Sequence, residues 1–224
     1  LVERIVKTPA VSTNTSCTPN PGAFRRLTEA ERQASVEQFI RCLKPHQDLW
    51  VFGYGSLVWR PNFHYLERRP AVLRGYHRSL CLWSRINRGT PERPGLVFGL
   101  DNGGSCKGMV YRVGSNQIPE TLDELWKREM PSAAYIPRHL PCQTPHGPTP
   151  ALVFVVDRQK DGYVRNLTHE QLMNIIHNAH GTYGPCIEYV LETAQALTDH
   201  GIHDARLNAL VRQLRSGISD PAQS

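Results

Sequence analysis

The chain has 224 residues, of which 40% are hydrophobic and 21% charged, and a formal net charge of +6. That is length for one domain with its own core, and fractions this ordinary exclude a disordered or fibrous chain. No run reaches the roughly 18 apolar residues of a membrane-spanning helix, and the 26 Lys and Arg are spread along the sequence rather than clustered as on a nucleic-acid face.

Residues 1–26 are rich in Thr, Pro, Asn and Ser and are expected to form an irregular arm, and the opening LVERIVKTPAV lacks the apolar stretch of a secretory signal. Thr28 with Glu31 three residues on is a capping-box signature. Val36, Phe39, Ile40 and Leu43 follow at helical spacing, and Pro45 ends the helix. LWVFGY, AVLRGYHRSLCLWS, GLVFGL and CKGMVYRV read as strands, and the DNGGS between the last two reads as a hairpin turn. QIPETLDELWKREMP, residues 117–131, is helical. AAYIPRHLPCQT and PALVFVVD are extended, but PCQTPHGPTP between them is too proline-rich for a central strand and is expected as an edge or a loop. From Thr168 the pattern is helical again: THEQLMNIIHNAH, then PCIEYVLETAQALTDHGI ending at Gly201, then DARLNALVRQLRSG capped by Asp204 and closed by Gly217. Strands in the middle and helices mostly at the ends indicate an α+β fold.

Cysteines 17, 42, 81, 106, 142 and 186 form no C-x-x-C pair, so neither a zinc ribbon nor a thioredoxin motif is present. Free thiols in a reducing cytoplasm are expected. The ten histidines show neither H-E-x-x-H nor H-x-H spacing, and His177 and His180 suggest no third ligand, so no metal site is expected.

Two stretches can carry chemistry. In VFGYGS, Gly53 and Gly55 free the backbone for positive φ, and a strand-end turn of this kind can aim successive N–H groups at a phosphate or carboxylate. It matches neither a Walker loop nor a dinucleotide fingerprint; the alternative is a tight turn that binds nothing. In the 117–131 helix, Ile118, Leu122, Leu125 and Trp126 share a face, and Glu129 falls on it, three residues beyond Trp126 and four beyond Leu125. Pro131 places Glu129 in the last turn, where burial and the helix dipole both raise a carboxyl pKa. Lys127 and Arg128 are expected to point off that face. Such a carboxyl suits general acid–base work; the alternative is a buried structural ion pair. Ser56 lacks the G-x-S-x-G elbow. RGTPERPG, residues 88–95, reads as a solvated turn, with an anion contact as the alternative.

WVFGYGSLVWRPNF, NRGTPERPG, GMVYRV, LWKREM and GIHDARLNALV, in that order, closely resemble the ChaC family of glutathione-specific gamma-glutamylcyclotransferases, the bacterial branch being the nearer match. The resemblance runs from about Trp50 to about Leu214. It implies a mixed sheet, partly closed like a barrel, with flanking helices. It implies that Val51, Phe52, Gly53, Tyr54, Gly55, Ser56 and Leu57 hold the gamma-glutamyl group chiefly through backbone, and that Glu129 is catalytic. Glutathione would be split into 5-oxoproline and cysteinylglycine. The substrate's own amine attacks its own carbonyl, so orientation replaces an enzyme nucleophile, and no metal or cofactor is required. Where eukaryotic members carry Ser-Thr-Asp-His-Arg-Gly, this chain has SRINRG at 84–89 and shares only Ser84, Arg88 and Gly89. The implied division is an arm and added helix over 1–48, a catalytic domain over 49–217 and a tail over 218–224, the added helix covering one face of the sheet. A cytoplasmic enzyme is expected, with glutathione as its small-molecule partner and no nucleic acid, membrane or obligate protein partner. Other gamma-glutamyl amino acids or amines are the alternative substrates. A non-catalytic gamma-glutamyl-binding regulator is the alternative function.

Overall fold

Two long strands form the frame of the molecule. The structure, a computed structural model, describes residues 25–218; the arm expected over 1–26 lies almost wholly outside these, as do Cys17 and most of the tail. Strands β1 (Leu49–Gly53), β2 (Glu67–Ser84), β3 (Gly95–Val113), β4 (Tyr135–Thr144) and β5 (Gly147–Val156) close into a barrel in the order β1-β3-β2-β4-β5. β1 meets β5 through one parallel pair, Val51 with Leu152. The fold is α+β, and the sheet is a closed barrel.

β2 and β3 pair antiparallel from Glu67 opposite Arg112 to Ser84 opposite Gly95. DNGGS is therefore not a hairpin turn: it lies inside β3. Arg74 faces Ser105 and Tyr76 faces Asn102, so Gly103 and Gly104 stand against the single Gly75, and all three have positive φ. The glycines make a bulge that bends both strands. PCQTPHGPTP forms the end of a β4–β5 hairpin turning at residues 145–146, with Pro141 opposite Pro150. Its tolerance of proline has a simple cause. Here β4 pairs with β2 only at Cys142 and Gln143, so few ladder donors are needed.

Helix α1 (Glu29–Ile40) starts at the expected capping box, with Thr28 Oγ1 accepting from the Glu31 N–H and the Glu31 carboxylate accepting from the Thr28 N–H. It ends at Ile40, before Pro45, and Ile40 is exposed. Helix α2 (Ile118–Glu129) buries Ile118, Leu122, Leu125 and Trp126. The Trp126 ring lies 5.6 Å from Phe39 of α1 and 5.2 Å from Phe154 of β5, and its Nε1 donates to Ser35 Oγ at 3.0 Å. So α1 packs on α2, and α2 on the barrel. Helix α3 (His169–Asn178), the small hairpin of β6 (His180–Gly181) and β7 (Gly184–Pro185), α4 (Cys186–Asp199) and α5 (Ala205–Ile218) pack around the second, larger core. Asp204 caps α5 by accepting from the Leu207 N–H at 3.1 Å. The helix runs through Gly217 rather than closing there. Among the described residues no helix is long and apolar enough to cross a membrane.

Candidate active site

The strand end that carries the glycines opens onto a cavity of about 460 Å³. β1 stops at Gly53, and the chain passes through Tyr54 and Gly55 into a short 3-10 turn, Ser56–Val58. Tyr54, Gly55, Ser56 and Leu57 line the cavity; Val51, Phe52 and Gly53 do not. Val51 and Phe52 are fully buried in the barrel wall. No residue from 53 to 57 has positive φ, and Gly55 sits at φ −122°, so the expected left-handed nest is absent. The glycines answer a demand for space instead. A Cβ on Gly55 would lie 3.0 Å from the Tyr189 hydroxyl, and one on Gly53 3.1 Å from both Leu57 and the Tyr111 ring. The N–H groups of Gly55, Ser56 and Leu57 form no hydrogen bond within the described residues, as befits donors that open a helical turn.

Glu129 is the last residue of α2, and Met130 leaves the helical conformation. It lines the same cavity, its side chain 16% exposed. Burial pushes its carboxyl pKa up, and the Arg128 cation only partly opposes this. Arg128 does not point away, as a helical wheel suggests. Its Nε lies 3.2 Å from Glu129 Oε1, its Nη2 donates to Ser56 Oγ at 2.9 Å, and its Nη1 reaches the carbonyls of Arg60 and Pro61. One guanidinium thus spans the helix end and the glycine loop.

Two buried tyrosines, Tyr54 and Tyr189, and the half-buried Tyr135 stand behind the carboxyl. Tyr54 donates to the Phe154 carbonyl and Tyr135 to the Phe98 carbonyl, each at 3.1 Å, while Tyr189 accepts from the Phe98 N–H at 3.1 Å. Burial, reinforced by the Glu129 charge, raises all three phenol pKa values, so they remain neutral hydrogen-bonding groups.

Residues 84–88 form another wall. Arg88 is only 6% exposed, so its part of the expected solvated turn is buried. It donates to the Pro185 carbonyl at 3.1 Å and to Glu192 at 3.3 Å, and lies 5.5 Å from the Tyr189 ring centre. Arg93 remains in the exposed turn, its N–H bonded to Thr90. Arg88 thus lines the cavity, where the anion contact held open as the alternative for residues 88–95 would have to be made, whereas Arg93 does not. With Arg26, Arg60, Arg85, Lys127 and Arg128, Arg88 makes six cations on the cavity, against Glu129 as the lone acidic residue among those described. The described residues hold no group of three His, Cys, Asp or Glu able to bind a metal ion.

The arrangement offers free N–H donors, a carboxyl of raised pKa and an excess of positive charge, suited to binding an anionic molecule and moving a proton on it. Residues 49–216 match the model of a family described as ChaC-like protein. The chain is 31% identical to the glutathione-specific gamma-glutamylcyclotransferase of Escherichia coli strain K12, over 92% of this chain and 91% of that protein. It is 34% identical to glutathione-specific gamma-glutamylcyclotransferase 1 of Homo sapiens, over 78% and 82%. A crystal structure of a yeast gamma-glutamyl cyclotransferase specific to glutathione superposes with a TM-score of 0.70 at 22% identity, covering 75% of this chain and 96% of the yeast chain.

Proposed function

This chain belongs to the ChaC-like protein family, and on that premise we propose that it cleaves glutathione by intramolecular cyclisation, releasing 5-oxoproline and cysteinylglycine. Glu129 is the general base and then the general acid. The loop Tyr54–Leu57 holds the gamma-glutamyl group, with Val51, Phe52 and Gly53 forming the strand that fixes it. The observation that carries this reading is the Arg128 guanidinium, in contact with both Glu129 and Ser56, which sets the carboxyl against the loop donors.

The chemistry follows from that placement. The gamma-glutamyl α-carboxylate accepts hydrogen bonds from the free N–H groups of Gly55, Ser56 and Leu57. The α-ammonium then faces Glu129, which removes a proton. The freed amine adds to the γ-carbonyl carbon, closing a five-membered ring. The carbonyl π electrons move to oxygen and return as the C–N bond to cysteine breaks. Glu129 returns its proton to the departing amine, and the ring nitrogen, which still carries two protons after the attack, gives one up to the regenerated carboxylate and through it to the released amine, leaving a neutral lactam. The bond-forming atoms belong to one molecule, so fixing its conformation supplies much of the acceleration. The raised pKa of Glu129 brings it nearer the working pH, where one carboxyl serves both transfers. The catalytic unit is residues 49–217, and the helix over 29–40 is an addition packed on α2. The setting is a reducing cytoplasm; Cys42, Cys81, Cys106, Cys142 and Cys186 are free thiols.

The test is 5-oxoproline release from reduced glutathione, with gamma-glutamyl-alanine alongside and Glu129→Gln as control. Release from glutathione only, lost in the variant, is the expected result. Release from both would widen the substrate class, and release undiminished in Glu129→Gln would overturn the base assignment.

A further inference from the structure

Behind the glycine loop lies a buried cation that the reaction as described does not use. The Arg78 side chain, on β2, is 2% exposed. All three nitrogens are engaged: Nε donates to the Tyr54 carbonyl at 2.6 Å, Nη2 to the Lys107 carbonyl at 2.5 Å, and Nη1 to the Asp204 carboxylate that caps α5. Burying a charge costs several kcal/mol unless it is paired and hydrogen-bonded. Here that cost is met in a contact with the backbone of the loop itself.

The contact has a geometric consequence. No peptide bond among the described residues is cis. In a planar trans peptide the C=O and the following N–H point in opposite directions. Arg78 and Asp204 line a separate cavity of about 550 Å³ and not the site. Pulling the Tyr54 carbonyl toward Arg78 turns the Gly55 N–H the other way, and Gly55 lines the site cavity. A charged donor on the carbonyl also polarises that peptide and strengthens its N–H as a donor. We propose that Arg78, braced by Asp204, is a positioning residue that locks the Tyr54–Gly55 peptide plane so that the Gly55 N–H meets the α-carboxylate of the substrate. The proposal rests on the reading that this loop holds that carboxylate.

The experiment uses glutathione and 4-aminobutyryl-cysteinylglycine, the same molecule with the α-carboxylate replaced by hydrogen. KM for glutathione and the competition constant of the analogue against glutathione turnover are measured for the wild type, Arg78→Met, Arg78→Lys and Asp204→Asn. Arg78→Met is expected to raise KM about 10- to 100-fold, the range of one charge-assisted hydrogen bond, with a smaller effect on kcat. It should leave the analogue's constant nearly unchanged, so the preference for the carboxylate collapses. Arg78→Lys, which keeps a cation, should restore part of the preference, and Asp204→Asn should fall between. If Arg78→Met does not fold, the other two variants carry the test through the same preference. Folded variants that keep the wild-type preference, or weaken both molecules equally, overturn the proposal. A wild type with no preference removes the loop reading and this one with it. A wild type without turnover of glutathione removes the reaction itself, a different failure.

Discussion

Glu129 is held where ionisation is costly, and this ties its chemistry to its stability. Burial raises its pKa in the folded chain, so the folded state binds that proton more tightly than the unfolded one. The resulting stabilisation is complete below the ordinary glutamate range and is lost as pH rises through the folded value. Glu129→Gln stays neutral at every pH. Its melting temperature relative to wild type is therefore expected to improve as pH rises above the ordinary glutamate range, until the folded carboxyl has ionised, while turnover falls about 10²- to 10⁴-fold for want of a base. Parallel melting curves across that range would show that the carboxyl is not perturbed. Gly55 poses a steric question, since a Cβ would sit 3.0 Å from the Tyr189 hydroxyl. Gly55→Val is expected to raise KM steeply and Gly55→Ala less so. Adding Tyr189→Phe, which removes the hydroxyl, should recover part of the Gly55→Ala loss in a double-mutant cycle. Strict additivity would place the cause elsewhere.

At the scale of elements, what could be read from sequence was whatever a single element decides. Ile118, Leu122, Leu125 and Trp126 lie on one face because a helix repeats every 3.6 residues, and the same arithmetic brought Glu129 to that face. Arg128 escaped it because a wheel gives the direction of a Cβ, not the reach of a guanidinium that folds back to Ser56. DNGGS was misread for a related reason. Paired glycines serve a hairpin or a bulge equally well, and the partner strand with Gly75 settles which. Where strands approach one another, glycine is again demanded by a distant residue. A Cβ on Gly108 of β3 would lie 2.3 Å from the Gly53 carbonyl oxygen of β1, a backbone atom that cannot swing aside. Gly108→Ala is expected to destabilise the fold by about 1–3 kcal/mol, the usual cost of overpacking, read from urea unfolding. Because Gly53 leads into the loop, KM should also rise. A fully stable and active variant would mean that β1 yields there freely.

Over the whole molecule, charge explains what neither a residue nor an element does. The formal net charge of +6 says little about function by itself, since basic residues dispersed in sequence predict no patch. Folding gathers them: Arg88 is buried by partners 97 and 104 residues further along the chain, a distance no local pattern spans. The outcome is a cavity with six cations and one carboxyl among the described residues. Glutathione near neutral pH carries two carboxylates and one ammonium. A cleft of one sign concentrates a ligand of the other, and salt screens that field over about 10 Å at 0.1 M. KM for glutathione is therefore expected to rise a few-fold, roughly three- to ten-fold, between low salt and about 0.5 M sodium chloride, with kcat nearly constant because the proton transfers occur within the buried site. Glutathione esterified at its glycine carboxylate has lost one of the two charges the field acts on. Its KM should start higher and respond less to salt. If neither compound responds to salt, the cations serve the fold and not the substrate; if both respond equally, the field acts on the α-carboxylate they share; if glutathione responds more, the excess of arginine around the cavity also distinguishes the tripeptide by its far end.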